Sequence, residues 1–282
     1  MIPNQYLGET LSPNIRHQEN QPVLDVHKLS VRYNGRLALD NLTFHLHAGE
    51  RIAVVGPNGA GKSTLFIVVA GVLTPSSGEV NIYGSGPRGH VCIGYVPQRS
   101  QVDWRFPVTV ADVAMMGRVA RLGWLRMPGR KDWELVHSAL SMVGLDDLHD
   151  RQISQLSGGQ QQRMFIARAL AQEAALMLMD EPFAGLDLPS REEILDLLDK
   201  LKSQSVTVMV ATHDLEEAAR YFDRIMLLNQ RMFGFGTADI VLQYDRLRAA
   251  YGERLRQVDE DAKEWTVADT CCGEGETNGN AH

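Results

Sequence analysis

The 282-residue chain lacks the features of membrane-spanning, secreted and nucleic-acid-binding proteins. No stretch approaches the roughly 18 consecutive apolar residues that a transmembrane helix needs, and its start lacks the basic and apolar regions of a secretory signal. Three cysteines are too few for the disulfide framework of a secreted domain. A net charge of -7 without a basic run argues against nucleic acid as the main partner. We therefore expect a soluble protein that stays in the cytoplasm.

The composition predicts one globular domain with a polar segment at each end. Hydrophobic residues make up 44% of the chain and charged residues 22%, which suits a chain that buries a large core. Residues 1–21 are rich in Asn, Gln and Pro, and we expect them to be disordered. The domain is predicted over 22–245. The extension over 246–282 begins with an amphipathic segment, Asp245–Arg256, and is acidic and expected to be largely disordered at its end.

A glycine-rich loop of the form G-x-x-x-x-G-K-S follows a short apolar strand, Arg51–Val55, and precedes a helix predicted over Ser63–Ala70. Its glycines let consecutive backbone N–H groups approach phosphate oxygens, and the helix N-terminus favours the same anion. Lys62 adds a positive charge, and Ser63 is placed to ligate Mg²⁺. The sequence therefore predicts a P-loop, a site for nucleotide phosphates. Its residues are Gly56, Pro57, Asn58, Gly59, Ala60, Gly61, Lys62, Ser63 and Thr64.

Two later apolar strands end in polar residues. The run 176–179 leads into Asp180 and Glu181, and the run 206–212 leads into His213. The carboxyl ends of parallel strands form the ligand-binding edge of open α/β sheets. Taken alone, Asp-Glu after a strand is typical of a turn or a helix cap, and a single histidine is usually structural. In a chain that also carries a P-loop, their position favours a role at the nucleotide.

The pentapeptide Leu156–Gln160 opens a second candidate anion site. It precedes a predicted helix at Gln161–Leu170, with Ser157 at or near the N-cap, and small residues there expose backbone donors. Together with the P-loop and the strand that ends in Asp180 and Glu181, this Leu-Ser-Gly-Gly-Gln segment resembles the ATP-binding subunit of an ABC transporter. The resemblance covers nearly the whole chain.

The resemblance implies an α/β fold. Its parts are a P-loop ABC ATPase core with a mixed sheet flanked by helices, an antiparallel β subdomain, and an inserted α-helical subdomain at about 99–163. In such proteins two subunits pack head to tail, and each ATP lies between the P-loop of one copy and the Leu-Ser-Gly-Gly-Gln segment of the other. The expected cofactors are ATP and Mg²⁺.

The resemblance also implies roles for single residues. Glu181 is the expected general base, His213 the expected γ-phosphate contact, and Gln98 the expected sensor of Mg²⁺ and the attacking water. Tyr33 is expected to stack on adenine, with an ordinary surface tyrosine as the alternative. Asp187 is expected to contact the partner subunit. The expected Mg²⁺ ligands are Ser63, Gln98 and Asp180, and the expected nucleotide contacts of the second segment are Ser157, Gly158, Gly159 and Gln160.

Part of the chain resembles a narrower branch, the importers of manganese, zinc and iron. This likeness lies in Val96–Val110, Met116–Arg118, Gly123–Trp124 and Asp180–Asp187, with Tyr251–Leu255 in outline. It implies an ATPase homodimer on the cytoplasmic face of the cell membrane, with integral membrane permease subunits as partners and a periplasmic or surface metal-binding protein as an indirect partner. Manganese is the expected cargo, then zinc or iron. The core motifs alone leave an exporter or a regulatory, non-transporting ABC ATPase as alternatives.

Three aromatic residues of the expected helical subdomain have two interpretations. Trp104, Phe106 and Trp124 are candidate anchors for the membrane subunits, and packing inside the subdomain is an equally good explanation. Helical spacing predicts helices in this part and beyond it, at Asp112–Gly117, Trp133–Leu140, Ser190–Lys202 and Leu215–Phe222, with a hairpin around Asn229.

Two residue pairs outside the motifs invite a metal-binding interpretation. His45 and His47 share one face of a predicted strand, and Cys271 and Cys272 are adjacent. Two neighbouring ligands without a third are usually solvent-facing. We therefore predict no metal site beyond the one for Mg²⁺, and we predict Cys92 to be a small core residue.

Overall fold

A computed structural model of the chain describes residues 21–33, 35–87, 92–122, 126–252, 255–259 and 264–267. The disorder predicted for 1–21 therefore lies outside the described residues, apart from Gln21. The strands are β1 (Leu24–Tyr33), β2 (Arg36–Leu46), β3 (Arg51–Val55), β4 (Ser77–Ile82), β5 (Ile93–Val96), β6 (Leu176–Asp180), β7 (Thr207–Thr212), β8 (Arg224–Asn229), β9 (Arg231–Gly236), β10 (Leu255–Asp259) and β11 (Glu264–Val267). The helices are α1 (Lys62–Val69), α2 (Val110–Met116), α3 (Val119–Leu122), α4 (Arg130–Met142), α5 (Gly158–Ala171), α6 (Leu188–Ser203), α7 (Leu215–Tyr221), α8 (Ala238–Val241) and α9 (Tyr244–Tyr251).

The central sheet has six strands in the order β5-β6-β7-β3-β8-β9. The strands from β5 to β8 are parallel, and β9 pairs antiparallel with β8. Alternate residues of the inner strands enter two different cores: in β3, Ala53 and Val55 enter one, and Ile52 and Val54 enter the other. Burial on both faces explains why these strands are continuous apolar runs. The expected α/β fold with a mixed sheet is confirmed.

The second sheet is antiparallel and has the order β2-β1-β4. Its inward residues, such as Leu24 and Val26, share a core with Leu65 and Phe66 of α1 and with one face of the six-stranded sheet. The helix that leaves the P-loop is therefore buried where the two sheets meet. This arrangement confirms the expected antiparallel β subdomain. Cys92 is 2% exposed and belongs to the same core, as predicted.

The helical segment packs on the opposite face of the six-stranded sheet. Residues of α2, α4 and α5, among them Val110, Leu140 and Phe165, share one core with β3, β6 and β7. The predicted boundary at about 163 falls inside α5, which is a single helix that contacts α2, α4 and β5. Among the described residues, no helix combines the length and the apolar character needed to cross a bilayer.

The C-terminal part of the domain closes with a hairpin and two short helices. The hairpin predicted around Asn229 is formed by β8 and β9. The amphipathic segment predicted at Asp245–Arg256 coincides with α9 as far as Tyr251, where the helix ends before Gly252, which has a φ of +60°. The chain then forms β10, which pairs antiparallel with β11. The extension therefore contains a hairpin that its acidic composition did not predict.

Candidate functional site

The P-loop connects β3 to α1, and two of its glycines are required by its shape. Gly61 precedes the helix with a φ of +100°, a left-handed conformation that other residues rarely adopt. Gly56 lies against β8, because a Cβ at this position would stand 1.9 Å from the carbonyl oxygen of Leu228. The amide of Gln230 donates to the carbonyl of Ala60 at 2.8 Å. Contacts with β8 and the residue after it therefore hold the loop in shape.

The lysine of the loop is buried and bonded to the loop itself. Lys62 is 7% exposed, and its Nζ donates to the carbonyl oxygens of Gly56 at 2.7 Å and Pro57 at 3.4 Å. Burial lowers the pKa of Lys62, while the nearby carboxylates of Glu181 and Asp180 raise it. Phosphate oxygens are stronger acceptors than peptide carbonyls. An anion in the loop would therefore compete well for this ammonium group.

Asp180 supplies a buried carboxylate next to the loop. It is 2% exposed and accepts a hydrogen bond from the side chain of Ser63. Burial raises the pKa of Asp180, the Ser63 bond lowers it, nearby Glu181 raises it and nearby Lys62 lowers it. Its second oxygen, Oδ2, is buried and has no hydrogen-bond partner in the described part of the protein. Oxygen ligands of this kind beside a phosphate site suit Mg²⁺. The residues present therefore fit that ion.

The residue after Asp180 makes a direct contact that sequence reasoning did not predict. Oε2 of Glu181 lies 2.8 Å from Nδ1 of His213. Glu181 has a φ of +50°, which is uncommon outside glycine and recurs at functional sites. The side chain of Glu181 is 15% exposed and that of His213 is 59% exposed. The carboxylate is therefore enclosed, and the imidazole beside it is open to a ligand.

The strand order explains which predicted residues meet. Because β6, β7 and β3 are adjacent in the sheet, the ends of these strands bring Asp180, Glu181 and His213 to the edge that carries the P-loop. Gln98 reaches the same edge, since Val96 of β5 pairs with Met179 of β6. Two other predicted residues lie elsewhere: Tyr33 ends β1 of the other sheet, and Asp187 precedes α6. Both are exposed.

The start of α5, the second candidate anion site, has a well-defined helix cap. Ser157 is the N-cap, its Oγ accepts from the amide of Gln160 at 3.3 Å, and the Gln160 side chain accepts from the amide of Ser157 at 2.9 Å. This capping box leaves the amides of Gly158 and Gly159 as the remaining donors of the first turn. The Ser157 hydroxyl keeps its proton for a further donation. Two amides and one hydroxyl therefore remain as donors at this helix end, with Gly158 partly exposed and Gly159 buried against Ser190.

Glu217 is a buried carboxyl that sequence reasoning missed. It is 6% exposed, and its Oε1 lies 3.4 Å from Nη1 of Arg191 in α6. Burial raises the pKa of Glu217 to about 7, with Arg191 and His213 opposing the rise and Asp214 and Glu181 adding to it. The sequence signal was the Asp-x-x-Glu start of α7, where the Asp214 side chain caps the Glu217 amide at 2.9 Å. That signal indicates a helix start but not the burial.

The aromatic residues of the helical segment separate into two kinds. Trp104 packs against the core: its Nε1 donates to the carbonyl of Arg99 at 3.1 Å, and its ring lies 5.8 Å from that of Phe165. Phe106 is 58% exposed. Trp124 lies outside the described residues. Core packing therefore explains Trp104, and the surface interpretation stays open for Phe106.

Of the two candidate metal pairs, His45 and His47 gain no third ligand among the described residues. The rings of His45 and His47 lie 5.3 Å apart between centroids, and both residues are exposed. Within the described ranges, no group of three or more His, Cys, Asp or Glu side chains is arranged to hold a metal ion. Cys271 and Cys272 lie outside those ranges.

Comparison with known proteins gives consistent matches. The sequence profile of the family described as ABC transporter matches residues 39–184. The manganese transport system ATP-binding protein MntB of Bacillus subtilis (strain 168) is 45% identical over 233 residues, which cover 82% of this chain and 93% of that protein. The zinc transport system ATP-binding protein TroB of Treponema pallidum (strain Nichols) is 44% identical over 235 residues, which cover 82% of this chain and 88% of that protein. Among solved structures, a metal-chelate type ABC transporter in an inward-facing conformation matches with a TM-score of 0.75 and 31% identity, over 88% of this chain and 98% of that chain.

Proposed function

We propose that this chain, which belongs to the ABC transporter family, is the ATP-binding and hydrolysing subunit of an importer of divalent metal ions. The observation that carries the proposal is the contact of 2.8 Å between Glu181 and His213 at the sheet edge that also carries the P-loop. A phosphate cradle alone binds nucleotide, whereas a carboxylate held at the end of the neighbouring strand also supplies a base. The site is thus equipped for hydrolysis as well as binding.

In the proposed reaction the protein positions the phosphates and a water molecule. The P-loop amides and Lys62 bind the phosphates, and Glu181 accepts the proton of the attacking water as general base. The hydrogen bond from His213 orients the Glu181 carboxylate, and the exposed imidazole contacts the γ-phosphate. Ser63 and Asp180, with Gln98 nearby, would hold Mg²⁺, whose charge offsets that of the phosphates. Positioning and electrostatics supply most of the rate in such reactions.

The proposed assembly is a homodimer, because the two phosphate-binding elements of one chain are far apart. The strands β3 and β5 are separated by β7 and β6, which at about 4.8 Å per strand places their axes about 14 Å apart. The α5 helix contacts β5 near its C-terminal end, where Arg168 donates to the carbonyl of Tyr95, so its N-terminus lies about 15 Å along the helix from that contact. We infer that Ser157, Gly158, Gly159 and Gln160 serve the nucleotide of a second copy, and that Asp187 lies at that interface. Adenine stacking on Tyr33 is part of the same proposal.

The helical segment supplies a surface for the membrane subunits. Four large apolar side chains stand exposed there: Phe106 at 58%, Met116 at 45%, Val119 at 59% and Met127 at 85%. Large apolar side chains left exposed are candidate contacts for a partner. We propose that integral membrane permease subunits cover these side chains and hold the ATPase at the cytoplasmic face of the membrane. A separate metal-binding protein would then deliver the cargo from outside.

Manganese is the proposed cargo, followed by zinc and iron. The support is the transported metal of two similar proteins, manganese for MntB and zinc for TroB, as their names state. The energy-coupling site itself carries no information on the metal, because the cargo does not pass through it.

Uptake of labelled Mn²⁺, Zn²⁺ and Fe²⁺ tests the proposed function in cells of the source organism. The Glu181→Gln variant is compared with the wild type and with Glu192→Gln, which alters an exposed carboxylate of α6. We expect Glu181→Gln to abolish uptake of one metal, Mn²⁺ first, and Glu192→Gln to leave it unchanged. Normal uptake of all three metals at normal protein levels would contradict metal import, and slower efflux instead would indicate an exporter.

A further inference from the structure

Arg99 links two motifs that lie far apart in the sequence. It follows Gln98 directly, and its Nε donates to Oε1 of Gln161 in the first turns of α5 at 2.9 Å. Gln161 is 5% exposed, and its Nε2 donates to the carbonyl of Ile153 at 3.5 Å. The guanidinium group is therefore bonded to a side chain that is itself enclosed in the protein.

The same guanidinium group lies against the glycine that begins α5. A Cβ on Gly158 would stand 2.6 Å from Nη1 of Arg99 and 3.3 Å from Cδ2 of Leu186. Leu186 directly precedes Asp187. Three segments therefore meet around Gly158: the one that carries Gln98, the one that carries Ser157 and the one that carries Asp187.

The backbone of Arg99 is fixed as well. Its carbonyl accepts a hydrogen bond from Nε1 of Trp104 at 3.1 Å, and the Trp104 ring packs on Phe165 of α5 with 5.8 Å between centroids. Both the main chain and the side chain of Arg99 are thus tied to the same helix. A displacement of the 98–99 segment would be transmitted to the start of α5 through these contacts.

We propose that Arg99 is a positioning residue that couples the nucleotide site of its own chain to the Ser157 segment that serves the partner's nucleotide. Gln98 shifts in response to the phosphate end of the nucleotide in its own P-loop. Because Arg99 is bonded to Gln161 and packed against Gly158, the same shift moves the start of α5. The two ATP sites of a dimer would then be linked through each chain rather than only across the interface. This inference rests on the proposed function, because it requires the homodimer.

The coupling has a measurable size. For two sites that are linked by one partly buried, charge-assisted hydrogen bond and its packing contacts, we expect a coupling in the usual range, roughly 5- to 150-fold in affinity. Loss of that link should lower the cooperativity of hydrolysis without weakening ATP binding to a single chain. A residue with a purely structural role would instead lower the thermal stability and leave the cooperativity intact.

The experiment compares Arg99→Met with Arg105→Met in the full-length chain. Methionine keeps an apolar stem and removes the guanidinium group, and Arg105 is a matched control in the same loop whose side chain is 93% exposed. ATP hydrolysis is measured against ATP concentration, and binding of a fluorescent ATP analogue is measured at protein concentrations that keep the chain monomeric. For Arg99→Met we expect a Hill coefficient that falls from about 2 toward 1, a kcat lower by about tenfold, and analogue affinity within about twofold. Arg105→Met should match the wild type.

A second variant breaks the same bond from the other side. Gln161→Leu should reproduce the loss of cooperativity, and the double variant should be little worse than either single variant, because both remove one interaction. An unchanged Hill coefficient in a folded Arg99→Met protein overturns the inference. If the Glu181→Gln chain forms no ATP-dependent dimer, the proposed function and this inference fail together, whereas a normal dimer with unaltered cooperativity removes the inference alone.

Discussion

The P-loop and the N-terminus of α5 both present amides to an anion, yet they are built in opposite ways. The P-loop is enclosed: Lys62 is 7% exposed, and Gly56 touches the carbonyl of Leu228. The α5 end is more open, since Ser157 lies on the surface and Gly158 is only partly covered, although Gly159 is buried. One element binds its ligand inside a single chain, and the other offers its donors outward.

The difference shows how affinity and catalysis can be separated in one protein. A buried ammonium group and a preformed loop suit ligand capture by the isolated chain, because water competes little there. Donors on an exposed helix end become effective only when a second surface excludes water from them. Changes in the P-loop should therefore alter binding by the monomer, and changes at α5 should alter only what the dimer does.

The largest expected effect comes from Glu181→Gln, which keeps both elements and removes the base. We expect kcat to fall by roughly 10²- to 10⁴-fold, the usual contribution of general-base catalysis, while ATP affinity stays within about threefold. With ATP and Mg²⁺ the variant should accumulate as a dimer in size-exclusion chromatography. Hydrolysis at the wild-type rate, or a variant that stays monomeric, would count against Glu181 as the base.

Replacing the buried charge of the P-loop should have the next largest effect. In Lys62→Ala the phosphates lose a charged donor, and we expect ATP affinity of the monomer to fall at least about 100-fold, or roughly 2.7 kcal/mol. Equilibrium binding of a fluorescent ATP analogue measures this directly. Lys200→Ala, which alters an exposed lysine of α6, is the control and should bind normally. Unchanged affinity in Lys62→Ala would refute the phosphate role.

The role of the α5 N-terminus is tested by comparing two helix caps that have the same geometry. Ser157 caps α5 and Thr109 caps α2, each within a capping box. Alanine at either position should cost about 1 kcal/mol of folding stability. Only Ser157→Ala should also lower dimer hydrolysis, by about tenfold, because the Ser157 hydroxyl is the proposed donor to the partner's phosphate. Equal ATPase rates in the two variants would show that Ser157 acts merely as a cap.

The last expected effect concerns stability rather than activity and arises from the buried carboxyl near the enclosed site. The folded-state pKa of Glu217 is about 7, above the ordinary value of 4.5, so its protonated form favours folding. This stabilisation is complete below about pH 4.5 and is lost as the pH rises through 7. Relative to Glu217→Gln, the wild type should therefore lose stability between pH 5 and 8, by at most roughly 3 kcal/mol. Urea unfolding at several pH values measures it, with exposed Glu216→Gln as the control, and a pH-independent difference would contradict the raised pKa.

The elements that the sequence predicted well are local ones. Arg51–Val55 is confirmed as β3 because an apolar run followed by a glycine-rich loop is a contiguous pattern. The helix predicted over Ser63–Ala70 is confirmed to within one residue, as α1. The start of α5 was located less well, because the helix predicted from Gln161 begins at Gly158. Local pattern thus locates elements better than it locates their ends.

The contacts that complete the site were not predictable in the same way. The bond between Glu181 and His213 joins residues 32 positions apart, and that between Arg99 and Gln161 joins residues 62 positions apart. Such contacts depend on strand order and side-chain direction, which spacing along the chain does not encode. The burial of Glu217 has the same cause, since α6 supplies its partner. The sequence motifs identify the single residues, and only the fold shows which of them are in contact.

The support that β8 gives to the P-loop has a consequence for the order of events during synthesis. Gly56 rests on the carbonyl of Leu228, and Ala60 is bonded to Gln230, about 170 positions later in the chain. A ribosome translates the loop early, but its supporting strand leaves the exit tunnel only after most of the domain has emerged. The nascent chain therefore carries a complete P-loop sequence long before it has a P-loop structure. Its capacity to bind nucleotide should appear as a late step in elongation.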